Sequence, residues 1–393
     1  MKGKAVAFGA GKIGRGFLGQ LFVESGYDVT FVDVVESVVN ELNRTGSYVI
    51  RIAGDTIENV RIEGVKAING RDREAAASAL AEADIANTAV GVNYLPAIAP
   101  TIALGIQKRF ESGNLQPINI IICENLSHAS SYLRELVRQH LPKDLHQTLD
   151  SKVGFVESVV SRMVRDQTPE EIAVDPLLIV VEPYKKLPVD KNGFVGSIPN
   201  IVGLEAHDNF QAYVDRKLFT HNLGHATAAY LGYLKRLNYI YECMADPDIL
   251  SVTKAALNET GEALIKKHGF APNEHQEHIN DLLSRFSNRN MADQVLRVGR
   301  DPIRKLGPND RLISGAKLAL EYNGTLPINV IKGIAAAFLF DAKEDPSACE
   351  LQDRIKNEGV VSVLSDLCGI EPDSELGKAI VAEIPLVREA FSK

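Results

Sequence analysis

In the ten residues from Lys217 to Ala226, Lys-Leu-Phe-Thr-His-Asn-Leu-Gly-His-Ala, an amine, an amide and an imidazole occur at spacings that one helix can aim at one pocket. At 100° per residue, Asn222 and His225 are i,i+3 neighbours and Lys217 shares their half of the circumference, about 12 Å along the axis from His225. Its flexible stem must therefore bend towards a shared point. An amine that burial has relieved of its proton can accept one from a hydroxyl, and an amide can hold an oxygen that is gaining negative charge. Two other readings fit the same residues. One is a solvated helix that merely carries them; the other is a zinc site, since His221 and His225 form H-x3-H on one helix face. No third ligand is evident in the sequence, so no metal is expected.

The elements that position such a set begin at the N-terminus. Lys4-Ala5-Val6-Ala7-Phe8 is an apolar run of strand length, followed by Gly9-Ala10-Gly11-Lys12-Ile13-Gly14 and an amphipathic run through Phe17, Leu18, Leu21 and Phe22. This is G-x-G-x-x-G with a strand before and a helix after, the setting in which it holds a dinucleotide. Gly9 permits the tight turn, Gly11 admits a pyrophosphate and Gly14 lets helix pack on strand. The helix N-terminus, with Lys12 and Ile13 inside the fingerprint, offers N–H groups and a positive dipole end. A second strand runs from Val29 and ends at Asp33, 19 residues after Gly14, where a carboxylate holds the ribose hydroxyls and repels a 2′-phosphate. The cofactor is therefore expected to be NAD rather than NADP, with FAD or an unliganded glycine turn as alternatives. Two further strand ends draw notice, one carrying Val90 and Asn93 and the other Glu124 and Asn125. Asn125 is placed either to cap the next helix or to point its amide into the cofactor cleft.

The first half alternates strand-like and helix-like runs, with strands expected at 4–8, 28–33, 84–90, 118–123, 152–157 and 177–182 and a small hairpin at 47–61. After a loop-rich stretch over 185–209, helical periodicity dominates. The expected fold class is α/β: an N-terminal Rossmann-type doubly wound sheet over 1–195, then an all-α C-terminal domain over 196–393. With 393 residues, two domains are the natural expectation. A net charge of -8 argues against a nucleic-acid partner, and no apolar run reaches membrane-spanning length. Four scattered cysteines form neither C-x-x-C nor a framework and read as reduced thiols. A cytoplasmic protein is expected, a monomer or a weak homo-oligomer.

The fingerprint, Glu124-Asn125 after a mid-sheet strand, and Lys217-x4-Asn222-x2-His225 opening a helical region together resemble the polyol-specific long-chain dehydrogenases. Arg285-Phe286-Ser287-Asn288 followed by Asp293, Arg297 and Lys305 is similar to that family's second signature region. The resemblance implies metal-independent, NAD-linked oxidation of a secondary alcohol. In that chemistry Lys217 is the base, Asn125 and Asn222 are oxyanion donors from the two domains around an interdomain cleft, and His225 holds a neighbouring hydroxyl or orients the lysine. It also places Arg297 and Lys305 near the substrate hydroxyls.

Between Arg285 and Arg311 stand seven basic residues and three acids, Asp293, Asp301 and Asp310. This is either an anion site or an exposed basic face. On the first reading Arg300 and Arg304 are candidates for a phosphate and the substrate is a small sugar phosphate. An unphosphorylated hexitol or hexuronate, and a non-catalytic NAD sensor, are the alternatives.

Overall fold

The computed structural model describes residues 2–392, and the chain divides into two compact units after Phe210. The strands of the first unit are β1 (Gly3–Phe8), β2 (Tyr27–Asp33), β3 (Ser47–Ala53), β4 (Ile57–Glu63), β5 (Val65–Asn69), β6 (Ile85–Thr88), β7 (Ile118–Ile122), β8 (Val153–Glu157), β9 (Val164–Arg165), β10 (Ile179–Val181), β11 (Leu187–Asp190) and β12 (Leu204–His207). Six of them form one parallel sheet in the order β5-β2-β1-β6-β7-β8.

Alternate residues of β1 supply two separate cores: Ala5 and Ala7 pack with Phe17, Leu21 and Phe31, whereas Val6 and Phe8 pack with Ile102, Ile106 and Ile120. Burial on both faces explains why β7 reads Ile-Asn-Ile-Ile-Ile, with every residue buried. The strand order reverses between β1 and β6, which opens the crevice beyond their carboxyl ends.

Two expectations change. The segment expected as a strand at 177–182 forms β10, which joins the hairpin β3–β4 and β9 in a separate sheet of order β4-β3-β10-β9. The sixth strand of the parallel sheet is instead β5, whose alternation of Val65, Lys66 and Ala67 marks an edge position with one wet face. The boundary falls after Phe210 rather than at 195, because β12 pairs with β11 and ties the loop-rich stretch to the first unit.

The second unit is helical, and among its described residues the only β-pairing is the isolated bridge Tyr239–Gln294. Its central helix, Leu223–Leu234, is buried nearly all round. The long helix Pro247–His268 starts with Asp246 accepting from the Asp248 and Ile249 N–H groups and stops at Gly269 in the left-handed region. The helix Arg311–Asn323 packs so closely that a Cβ on Gly315 would lie 2.5 Å from the Leu223 side chain, with Phe219 and Thr260 next to it. Among the described residues no helix is long and apolar enough to cross a membrane.

Candidate active site

In the first unit the three fingerprint glycines meet three different constraints. Gly9 has φ +100°, and a Cβ there would sit 2.4 Å from Ala89 O; a Cβ on Gly14 would sit 1.9 Å from Gly9 O. Around Gly11 nothing lies within 4 Å, so the space beside the exposed middle of the loop is open to a pyrophosphate. Asp33 Oδ2 accepts from Ala10 N at 2.6 Å and Oδ1 from Val35 N at 2.9 Å, which fixes the carboxylate beside the loop. Lys12 is exposed and ion-paired with Asp166, and Ile13 packs against the core. These residues fit a dinucleotide.

Residues with no sequence motif complete this cradle. The turn that begins at Gly14 is a π-helix, Gly14–Gly19, and two of its carbonyls accept from side chains elsewhere in the fold. Tyr48 Oη donates to Arg15 O at 2.7 Å, and the buried Arg162 guanidinium donates to Gly16 O at 3.0 Å. Arg15 itself is buried and donates to Ala10 O at 2.6 Å, setting a cation directly behind the loop. At the end of β6 the Val90 and Gly91 N–H groups each donate to one oxygen of Glu124 at 2.9 Å. Burial raises the pKa of that carboxyl, while the two backbone donors oppose the shift. Asn93 lies in a short 3-10 turn and lines a groove of about 730 Å³ with Pro96, Leu126, His128 and Tyr132. Asn125, next to Leu126 in the chain, is exposed, and among the described residues none bonds its amide.

In the second unit, Lys217–Asn222 is also a π-helix, running directly into Leu223–Leu234. In an α-helix Lys217 and Asn222 would be turned about 140° apart, whereas an i→i+5 turn stacks them on one side. The wider turn is tied from outside by the fully buried Thr260, whose hydroxyl donates to Phe219 O at 2.8 Å. Lys217 is partly buried, and among the described residues none forms an ion pair or hydrogen bond with its amine. Desolvation, reinforced by the Arg311 charge, lowers its pKa to about 8. The Asn222 amide is likewise partly buried and without a protein partner.

His225 stacks on Phe286, with centroids 4.7 Å apart and planes 16° apart. Its Nε2 lies 3.0 Å from Asp293 Oδ2, near enough for charge pairing though not aligned as a hydrogen bond. Burial would raise the Asp293 carboxyl, but pairing with His225 and Arg297 outweighs it and holds the pKa low. His221 sits edge-on to both rings and is held well below the usual histidine range, by burial first and then by Arg285, His225 and Lys217. The H-x3-H spacing therefore serves a neutral buried ring and an aspartate-facing ring. Among the described residues no group of three or more His, Cys, Asp or Glu is placed to hold a metal ion.

The basic cluster is less cationic than its sequence suggests. Arg297 Nε meets Asp293 at 2.9 Å, and Arg304 bridges Asp301 at 2.7 Å and Asp310 at 3.0 Å. Arg300 is exposed and has no carboxylate partner among the described residues. Lys305 is buried, donates to Arg300 O, and has its pKa lowered to about 7 by burial and then by Arg311 and Arg304. Asp293 belonged to the signature segment read from the sequence, but its pairing with His225 did not follow from it. Thr260, Tyr48, Arg162 and Glu124 reach their partners only through tertiary structure.

A family model described as the mannitol dehydrogenase Rossmann domain matches residues 3–203, and one described as the mannitol dehydrogenase C-terminal domain matches 209–376. The chain is 44% identical over 361 residues to a mannitol-1-phosphate 5-dehydrogenase of Anoxybacillus flavithermus, covering 92% of this chain and 93% of the relative. It is 41% identical over 381 residues to the enzyme of the same name from Geobacillus thermodenitrificans, covering 97% and 98%. Among solved structures, the mannitol 2-dehydrogenase of Pseudomonas fluorescens in complex with NAD and D-mannitol superposes with a TM-score of 0.76 at 18% identity, covering 99% of this chain and 92% of that one. A D-sorbitol dehydrogenase in substrate-free form superposes at 0.82 with 16% identity, covering 100% and 94%. The fold is shared with both, and the chain belongs to the mannitol dehydrogenase family.

Proposed function

We propose that this chain is an NAD-dependent oxidoreductase that interconverts D-mannitol 1-phosphate and D-fructose 6-phosphate, with Lys217 carrying the hydroxyl proton. The substrate is the one for which two relatives, matching nearly the whole chain, are named. The observation that carries the chemistry is the Lys217 amine, desolvated, unpaired and lowered to about 8. NAD, when bound, supplies the hydride acceptor.

Gly9, Gly11 and Gly14, with Lys12 and Ile13 beside them, form the loop for its pyrophosphate, Asp33 takes the ribose hydroxyls, and Val90 and Asn93 line the strand-end surface. In the oxidation the neutral amine of Lys217 takes the hydroxyl proton while the Asn222 amide donates to the oxygen as it becomes a carbonyl. In the reduction the ammonium returns that proton. His225, steadied by Asp293 and Phe286, holds an adjacent hydroxyl, and Arg297 and Lys305 hold others. Asn125 is a further donor candidate, an exposed amide without a protein partner at the carboxyl edge of the sheet. Of the two phosphate candidates offered by the sequence, Arg300 is exposed and Arg304 is already engaged by Asp301 and Asp310.

One observation favours a second reading, an unphosphorylated hexitol or hexuronate: two carboxylates already occupy Arg304. NADH consumption with fructose 6-phosphate, fructose and a hexuronate under identical conditions separates the two. Strong preference for fructose 6-phosphate is expected, and preference for either unphosphorylated compound would sink the phosphate substrate. Lys217→Ala is expected to lower kcat by about 10² to 10⁴ with NADH binding intact; unchanged turnover would remove Lys217 from the chemistry.

A further inference from the structure

Within the basic cluster one guanidinium stands apart. Arg311 opens the helix Arg311–Asn323, and its Nε is fixed on Asp310 Oδ1 at 2.8 Å. Its side chain is only 13% exposed, yet among the described residues neither terminal nitrogen has a hydrogen-bond or ion-pair partner. Gly315, one turn further along the same face, lies against Phe219 and Leu223, so that face is the one turned towards the π-helix carrying Lys217. The candidates from sequence lack this combination: Arg304 is spent on two carboxylates and Arg300 is exposed.

We propose that Arg311 binds the substrate's phosphate through its two unengaged terminal nitrogens, and so determines specificity for a phosphorylated sugar. This rests on the substrate reading above. A guanidinium anchored through Nε presents a preoriented pair of N–H donors, which match two oxygens of a phosphate monoester. The phosphate of fructose 6-phosphate lies a few carbons along the chain from the carbonyl, within the compass of one side-chain cluster.

The placement has a chemical consequence. The Arg311 charge is one of the causes that lower Lys217 and Lys305. A bound phosphate would offset that charge and return the Lys217 amine towards its ordinary range. The pKa read from kcat with fructose 6-phosphate should then exceed the one read from kcat/KM, which reports the free enzyme.

The test is steady-state kinetics of the full chain with NADH, comparing wild type, Arg311→Gln, Arg311→Lys and Arg304→Gln on fructose 6-phosphate and fructose, with inorganic phosphate as a competing probe. Arg311→Gln is expected to cut the ratio of kcat/KM for fructose 6-phosphate over fructose at least tenfold and to weaken inhibition by inorganic phosphate. Arg311→Lys should keep an intermediate ratio, and Arg304→Gln should keep most of it. If Arg311→Gln fails to bind NADH or to fold, the lysine variant and the wild-type kcat against kcat/KM profiles carry the test. An unchanged ratio in a folded Arg311 variant, or a collapse seen only in Arg304→Gln, would overturn the assignment. A wild type with no preference for fructose 6-phosphate would instead bring down the substrate reading itself.

Discussion

The residue whose state matters most is Lys217, because an amine lowered to about 8 divides its two forms within the working pH range. The lowered pKa favours the neutral form, so the sign follows directly. Alcohol oxidation needs the neutral amine and should rise with pH to a plateau above about 8; ketone reduction needs the ammonium and should fall as pH rises through the same value. Rate profiles in both directions check this, and parallel profiles in the two directions would contradict it. The same reasoning reaches one residue further. Asp293→Asn removes the carboxylate facing His225 and Arg297, and kcat/KM for the substrate should drop about tenfold or more. NADH affinity should hold, since these residues all lie in the second unit.

At the scale of elements, both motif-bearing helices contain a π-helix, and each is tied by a side chain from elsewhere. Replacing Thr260 with Val deletes the bond to Phe219 O while nearly keeping the shape. It leaves a buried carbonyl short of a donor and should cost about 1–3 kcal/mol in denaturant unfolding, with a loss of kcat as Lys217 and Asn222 lose their common side. An unaltered kcat at lowered stability would show that the turn is structural only. The glycine loop offers a cleaner separation of ligand from fold. A Cβ on Gly14 would collide with Gly9 O, whereas one on Gly11 meets nothing in the protein. Gly11→Ala should therefore leave the melting temperature nearly unchanged while weakening NADH binding about tenfold or more, by calorimetry. Gly14→Ala should lose both.

For the molecule as a whole, the two units assemble their chemistry from different materials. The first holds its cradle with backbone donors and buried guanidinium groups, and the second gathers an amine, an amide and an imidazole on one continuous helical run, with a carboxylate from the loop before Val295–Gly299. Neither needs a metal in the mechanism proposed, so chelator treatment should leave turnover intact. Loss of activity on chelation, restored by zinc, would revive the H-x3-H reading. Removing the dinucleotide should act differently: saturating NADH at about 100 times its Kd is expected to stabilise the binding-competent fold by about 2.7 kcal/mol, and Gly11→Ala to reduce that gain at the same NADH concentration.

What the sequence determined by itself was whatever depends on local covalent pattern. The apolar strand, the glycine spacing and the acid at 33 specified the cofactor cradle, because each glycine is demanded by backbone geometry within a few residues of itself. The period-2 and period-3.6 patterns separated the sheet-bearing half from the helical half for the same reason. Local pattern failed where partners are remote. It put the strand at 179–181 in the wrong sheet, since pairing with β3 is a contact across more than a hundred residues. It overcounted free positive charge between Arg285 and Arg311, since ion pairing is settled only when helices pack. Lys217 and Asn222 were legible as residue types. Their sharing of half a helix circumference was legible too; the π-helix that draws them closer together was not, because its tie from Thr260 to Phe219 O joins residues distant in sequence. Tertiary structure thus decided burial, and burial turned an ordinary lysine into one that can lose its proton near neutral pH.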